Sequence, residues 1–162
     1  GSVVGEWLTA SGASFLAIES DGTFFGDDYD AGRWDATADS ITFDYDGTVS
    51  AGDPHAYTVV RDRLSILYEG SSINYTRLSG VRDTLVVGIW SLVTDGDPAT
   101  LVLSPAGRFR ESTSSRDRKG YWFSDDNRLI LVDGFTRVFD YSVNATRLTL
   151  VRDGDLGQYD RQ

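Results

Sequence analysis

The sequence contains no cysteine, no methionine, one histidine and three prolines, and its fifteen basic residues include a single lysine. Without cysteine there is no disulfide, no thiolate metal site and no cysteine nucleophile. With His55 as the sole histidine, a Ser-His-Asp arrangement has one candidate base, and no Gly-x-Ser-x-Gly elbow accompanies it. Its setting, Gly52-Asp53-Pro54-His55, reads as an exposed turn rather than a catalytic cleft. Neither standard glycine-rich phosphate loop is present. No apolar run approaches the roughly 18 residues that span a bilayer, so no membrane-spanning segment is expected. Gly1-Ser2 in place of an initiator methionine reads as an excised part of a longer chain. A cysteine-free chain of this kind leans toward a secreted or cell-surface bacterial protein, and an extracytoplasmic location is the expectation.

What is present is acid, unevenly spread. The net charge is −10. Residues 1–80 hold thirteen acids against Arg33, Arg61, Arg63 and Arg77, whereas residues 81–162 are nearly balanced, with twelve acids and eleven bases. A field of this sign excludes a nucleic-acid partner, whose phosphates must be met by clustered Lys and Arg. One basic cluster stands out, Arg116-Asp117-Arg118-Lys119. It reads as a solvated turn, and Arg116, Arg118 and Lys119 are the residues to examine for contact with an acidic protein partner.

The chain also repeats itself. Gly5-Glu6-Trp7 recurs as Gly88-Ile89-Trp90, and the landmarks that follow keep their order. Phe24 is matched by Phe109, and Gly32-Arg33-Trp34 by Gly120-Tyr121-Trp122. Leu64-Ser65-Ile66 is matched by Leu148-Thr149-Leu150, and Tyr75-Thr76-Arg77 by Tyr159-Asp160-Arg161. All four tryptophans fall into two matched pairs. Such self-similarity decides architecture before chemistry.

Periodicity is two almost everywhere, in short β-branched and aromatic segments such as residues 14–19, 40–44, 56–60, 64–68 and 73–78. Turn signals separate them, among them Asp21-Gly22, Asp46-Gly47, Glu69-Gly70, Asp133-Gly134 and Asp153-Gly154. No helical period extends beyond a single turn. The expectation is an all-β chain of about eight short strands per copy, each copy an antiparallel meander closed into its own barrel. The copies span residues 1–79 and 84–162. The alternative is one larger barrel or sandwich built from both repeats.

Gly-x-Trp on the first strand and Tyr-x-Arg on the last, seen once per copy, resemble the bacterial lipocalin-like domains of the calycin group, here as two tandem copies. The resemblance implies that the first-strand Trp closes one end of each barrel and that an Arg from the last strand lies across its ring. It pairs Trp7 with Arg77 and Trp90 with Arg161, with Gly5 and Gly88 as part of the signature. A guanidinium on an indole face gains about 0.5–2 kcal/mol. Small-ligand carriage inside the barrel is the function the resemblance implies. Inward positions carry large groups in both copies, Trp7, Phe15, Trp34, Phe43, Tyr57 and Tyr75 in one and Trp90, Phe109, Trp122, Phe139 and Tyr141 in the other, so filled interiors are expected.

Chemistry-bearing clusters are sparse. The acid pairs Asp27-Asp28 and Asp125-Asp126 lack the aromatic subsites of a glycosidase. No cofactor is expected. If any ion binds, hard carboxylate donors would take calcium, and Asp21, Asp27, Asp28 and Asp30 are the place for it. The sequence therefore reads as non-enzymatic: a binding, interaction or spacer module with a protein partner, or alternatively a binder of a small hydrophobic ligand. An interior cavity of about 300 Å³ or more would separate these two.

Overall fold

The computed structural model describes residues 1–27, 31–45 and 52–162. Two compact units divide the chain, Gly1–Leu78 and Ser79–Gln162. Each is a closed eight-stranded antiparallel barrel.

The first barrel runs β1 (Gly5–Thr9), β2 (Phe15–Ile18), β3 (Thr23–Gly26), β4 (Ala31–Ala36), β5 (Ser40–Asp44), β6 (His55–Val60), β7 (Arg63–Tyr68) and β8 (Ser71–Arg77). The second opens with a single 3-10 turn, Thr84–Val86, capped by Asp83. It continues as β9 (Gly88–Leu92), β10 (Ala99–Leu103), β11 (Arg108–Thr113), β12 (Asp117–Asp125), β13 (Arg128–Val132), β14 (Thr136–Val143), β15 (Arg147–Arg152) and β16 (Asp155–Arg161). Among the described residues no helix is long and apolar enough to cross a membrane.

Strands form because apolar residues recur every second position, and hairpins close where the chain takes positive φ. Glu69-Gly70 and Asp153-Gly154 do so at both central residues, the geometry that matches the strand twist. Each barrel closes by pairing its last strand with its first. Trp7 lies opposite Arg77, and Trp90 opposite Arg161. Other equivalences follow the same register: Trp34 opposite Phe43 and Trp122 opposite Leu131, Leu64 opposite Tyr75 and Leu148 opposite Tyr159. Two circuits of strands, not one shared barrel or sandwich, are therefore present.

Each barrel has its own core. Trp7, Leu16, Ile18, Phe24, Ile41 and Leu64 are among the buried residues of the first, and Trp90, Leu101, Phe109, Trp122, Leu131 and Leu148 among those of the second. Phe15 departs from expectation. It pairs with Leu8 while its neighbour Leu16 pairs with Trp7, so strand alternation puts Leu16 in the core and leaves Phe15 on the other face, its ring 5.7 Å from Phe25. The sequence run Ser-Phe-Leu-Ala-Ile is apolar on both parities, which hides the phase.

Candidate functional site

The end of each barrel where the chain enters is sealed by the repeated motif. Trp7 and Trp90 are fully buried, and their indole N–H groups donate to Val3 O at 2.8 Å and Val86 O at 2.7 Å. The Arg77 guanidinium lies 4.1 Å from the Trp7 ring centroid and that of Arg161 4.2 Å from Trp90. Arg77 donates to Val4 O and Ser2 O, each at 2.6 Å, and Arg161 to Val87 O, Leu85 O and Ala145 O. Gly5 and Gly88 have φ of +149° and +152°, and a Cβ at either would collide with the guanidinium. The glycine is thus what admits the arginine. Arg77→Ala and Arg161→Ala are each expected to destabilise their own barrel by about 1–2 kcal/mol, with Arg161 at the upper end because it satisfies three carbonyls. Urea titration of each variant checks this, and unchanged midpoints for both would remove the stack from the account of closure.

The opposite ends, the mouths, differ between copies. In the first, Phe24 packs edge-on against Phe43 and Tyr45 at 4.8 and 5.2 Å between ring centroids. Tyr68, Ile73 and Tyr75 complete the wall around a space of about 180 Å³. Burial, before all else, raises the phenol pKa of Tyr68 and Tyr75 above the ordinary value. This mouth is an aromatic plug with a small gap.

The second mouth is an open hollow of about 430 Å³, lined by Glu111, Arg137, Phe139, Arg152, Gly157 and Tyr159 among others. The shared register explains the extra room. Gly157 faces Leu150 where Ile73 faces Ile66, and Arg152 stands where the first copy has Tyr68. Charge enters the barrel here. Arg137, 7% exposed, donates from Nη1 to both Glu111 oxygens at 3.1 and 3.3 Å and from Nη2 to Asp133 Oδ2 at 3.4 Å. Arg118 Nη1 stands 3.9 Å from the same Asp133 oxygen. Arg137 Nε and Asp133 Oδ1 are buried without a partner among the described residues.

The sequence reading missed Glu111, Asp133, Arg137 and Arg152. A signal was available: each lies two residues from an inward position, Glu111 from Phe109, Asp133 from Leu131, Arg137 from Phe139 and Arg152 from Leu150, so period two carries a charge into the barrel. The same alternation splits the basic cluster. Arg116 and Lys119 are exposed, while Arg118 is half-buried beside Asp133.

Of the acidic candidates, the described residues include Asp21 and Asp27, which lie at opposite ends of β3. Asp21 accepts from Thr23 N at 2.9 Å and from the Thr23 hydroxyl, contacts that lower its pKa and hold the β2–β3 turn. Asp27 follows β3 at its other end, about 13 Å away at the usual strand rise. Asp28 and Asp30 lie outside the described residues, as do Asp46 and Gly47 of the expected turn. Among the described residues no three His, Cys, Asp or Glu side chains are grouped as metal ligands. Asp125 instead holds Arg128 at 2.6 Å and accepts from Ser79 N. His55, expected in an exposed turn, is the half-buried first residue of β6, its ring 4.4 Å from Tyr68.

Two further hollows lie on outer barrel faces. One of about 550 Å³ covers β6 to β8 and is bordered by the short side chains of Thr58, Ser65, Asn74 and Thr76, with Val60 and Arg63. Another of about 300 Å³ runs along Val102, Arg108, Arg110 and Lys119. Arg110 there is already tied to Asp117 by two bonds of 2.9 Å, and Arg108 lies 4.2 Å from the Tyr121 ring centroid.

Comparison with known proteins assigns no family. No protein-family model matches the chain, and no curated protein matches it. Among solved structures it is similar to a crystal structure of a protein with unknown function from the DUF3598 family of Nostoc punctiforme. That likeness has 13% identity, covers 99% of this chain and 96% of the other, and has a TM-score of 0.29. None of these comparisons names a lipocalin or a calycin.

Proposed function

We propose that this is a non-catalytic binding protein in which the second barrel receives a small ligand at its mouth, while the first is a filled interaction or spacer module. The observation that carries the reading is the difference in free space between equivalent mouths, about 430 Å³ against about 180 Å³. The larger value falls within the range of small-molecule sites, and the smaller falls below it. The sealed Trp90 end leaves the mouth as the way in, and this agrees with the lipocalin-like carriage that the Trp–Arg signature implies. Catalysis is left out of the reading because the mouth's acids Glu111 and Asp133 are held by Arg137, and the chain's one histidine belongs to the other barrel.

Gly157→Ile tests it, since the first barrel already carries Ile73 at that register. A Cβ at Gly157 would meet the Tyr159 ring edge at 3.1 Å, a contact a side chain can yield to. Compounds that shift the amide resonances of the second mouth should bind the variant at least about tenfold more weakly, with the melting temperature kept. The reading fails if a mixed set of neutral, anionic and cationic apolar compounds leaves those resonances unmoved, or if the hits bind the variant equally well.

A further inference from the structure

Gly52-Asp53-Pro54-His55 joins an acid to a proline and follows them with the chain's one histidine. An Asp-Pro bond has its own chemistry. Proline carries no N–H, so attack of the following amide nitrogen on the aspartate side chain, the ageing route of Asp-Gly turns, is closed. What stays open is the reverse approach, in which a carboxylate oxygen reaches the main-chain carbonyl carbon of its own residue and closes a five-membered ring. Nucleophile and target belong to one residue, so the step has the advantage of an intramolecular reaction.

The fold presents this bond in a usable form. Asp53 and Pro54 are exposed and lie outside the strands, and the Asp53 carboxylate has no hydrogen bond or ion pair among the described residues. Both flanks are held on β5. Gly52 passes so close that a Cβ there would run into the Phe43 carbonyl oxygen, and His55 pairs with Ile41. On its other side the His55 ring lies 4.4 Å from that of Tyr68. Of these two neighbours Ile41 does not titrate, and burial pushes the Tyr68 phenol up, so it stays neutral in acid. Asp97-Pro98 supplies an internal comparison. It is also exposed and also precedes a strand, yet Ala99 follows it in place of a histidine.

We propose that the chain cuts itself between Asp53 and Pro54 under mildly acidic conditions. An ionised Asp53 Oδ attacks the Asp53 carbonyl carbon, the bond from that carbon to Pro54 N breaks, and Pro54 N takes a proton from the His55 imidazolium. Asp53 is left as a cyclic anhydride. Water opens it to two carboxyl groups, and the imidazole regains its proton from solvent, so one peptide bond and one water become a carboxyl and a secondary amine. Imidazole suits this step because it can hold a proton at a pH where aspartate is ionised. The event happens once per molecule, which separates it from enzymatic turnover. Pairing of β1 with β8 and of β5 with β6 spans the cut, so residues 1–53 and 54–162 stay together as a nicked barrel.

Incubation of the whole chain at about pH 5.5, followed by denaturation and intact-mass measurement, tests the proposal. Fragments 1–53 and 54–162 should accumulate at least about tenfold faster than any cut at Asp97–Pro98. Their rate should pass through a maximum in mild acid, because the carboxylate must be ionised and the donor protonated, whereas unassisted acid hydrolysis climbs steadily as pH falls. Asp53→Asn, at an exposed side chain, should abolish the cut. His55→Gln should slow it about tenfold and remove the maximum, with a melting transition showing that the barrel is still folded. Equal rates at the two Asp-Pro bonds, a cut that survives Asp53→Asn, or an intact chain after about a week overturns self-cleavage. A folded His55→Gln chain that cuts as fast as the wild type overturns the proton donor and leaves Asp53 acting alone.

Discussion

Trp7→Ala is expected to bring the first barrel to the edge of unfolding while the second keeps its structure. Truncating a fully buried Trp costs about 3–5 kcal/mol through lost transfer energy and the cavity left behind. Two further losses belong to this site. Val3 O gives up the indole N–H at 2.8 Å, and the Arg77 guanidinium loses the face it covers at 4.1 Å. A unit of this size is stable by about 4–12 kcal/mol at the usual value per residue, so the substitution removes a large share of the whole. Every contact named for Trp7 lies within Gly1–Leu78, so the effect should stay there. Native-state hydrogen exchange reads both halves at once. Protection should collapse across β1, β2 and β8 and persist in β10 and β13. Protection retained in β1 would mean that the Trp is not the seal of that end.

The architecture was legible because it rests on repetition and period two, which survive in the order of residues. Gly-x-Trp and the closing Arg, each found twice, specify a circuit, and the circuit is what the strand pairing contains. The cavity was less legible. Nothing local distinguishes Gly157 from any glycine near a turn. Its meaning comes from the neighbour across the hairpin, Leu150, and from the bulk that Ile73 supplies at the same place in the first copy. The charged mouth was hidden for a different reason. Arg116-Asp117-Arg118-Lys119 is contiguous in sequence and looks like a surface patch, but a strand sends successive side chains to opposite faces, so one of its arginines belongs to the interior. Contiguity is the wrong measure of proximity in a sheet, and Asp21 and Asp27, at the two ends of β3, show the same thing.

The asymmetry between the copies is therefore one of interior chemistry more than of outer charge. The first mouth is filled by rings, which stabilise by burial and stacking. At the matching register the second gives up rings for ions, which are poor sources of stability when buried. On the proposed function, the ions of the second copy serve a ligand rather than the fold, and the second mouth is where that reading is tested.

Arg137→Met should be the most damaging single change in the second barrel outside its core, at about 3–5 kcal/mol, because it strands two acids in the interior. Glu111 would lose bonds of 3.1 and 3.3 Å, and Asp133, whose side chain is 3% exposed, would keep, among the described residues, Arg118 at 3.9 Å. The loss is one of uncompensated charge rather than of Arg137's packing, and a second variant separates the two. Adding Glu111→Gln and Asp133→Asn removes both negative charges while preserving shape, and it should restore most of the stability lost. Urea unfolding of the wild type, the single and the triple variant measures the coupling. A single variant within about 1 kcal/mol of the wild type would show that water reaches these acids freely. A triple variant no better than the single would show that the arginine's contact with the Phe109 and Phe139 rings, at 5.8 and 5.9 Å, is what matters. The expected pattern, a deep loss rescued by neutralising its partners, would identify Arg137 as the ion that lets two carboxylates stand inside a barrel.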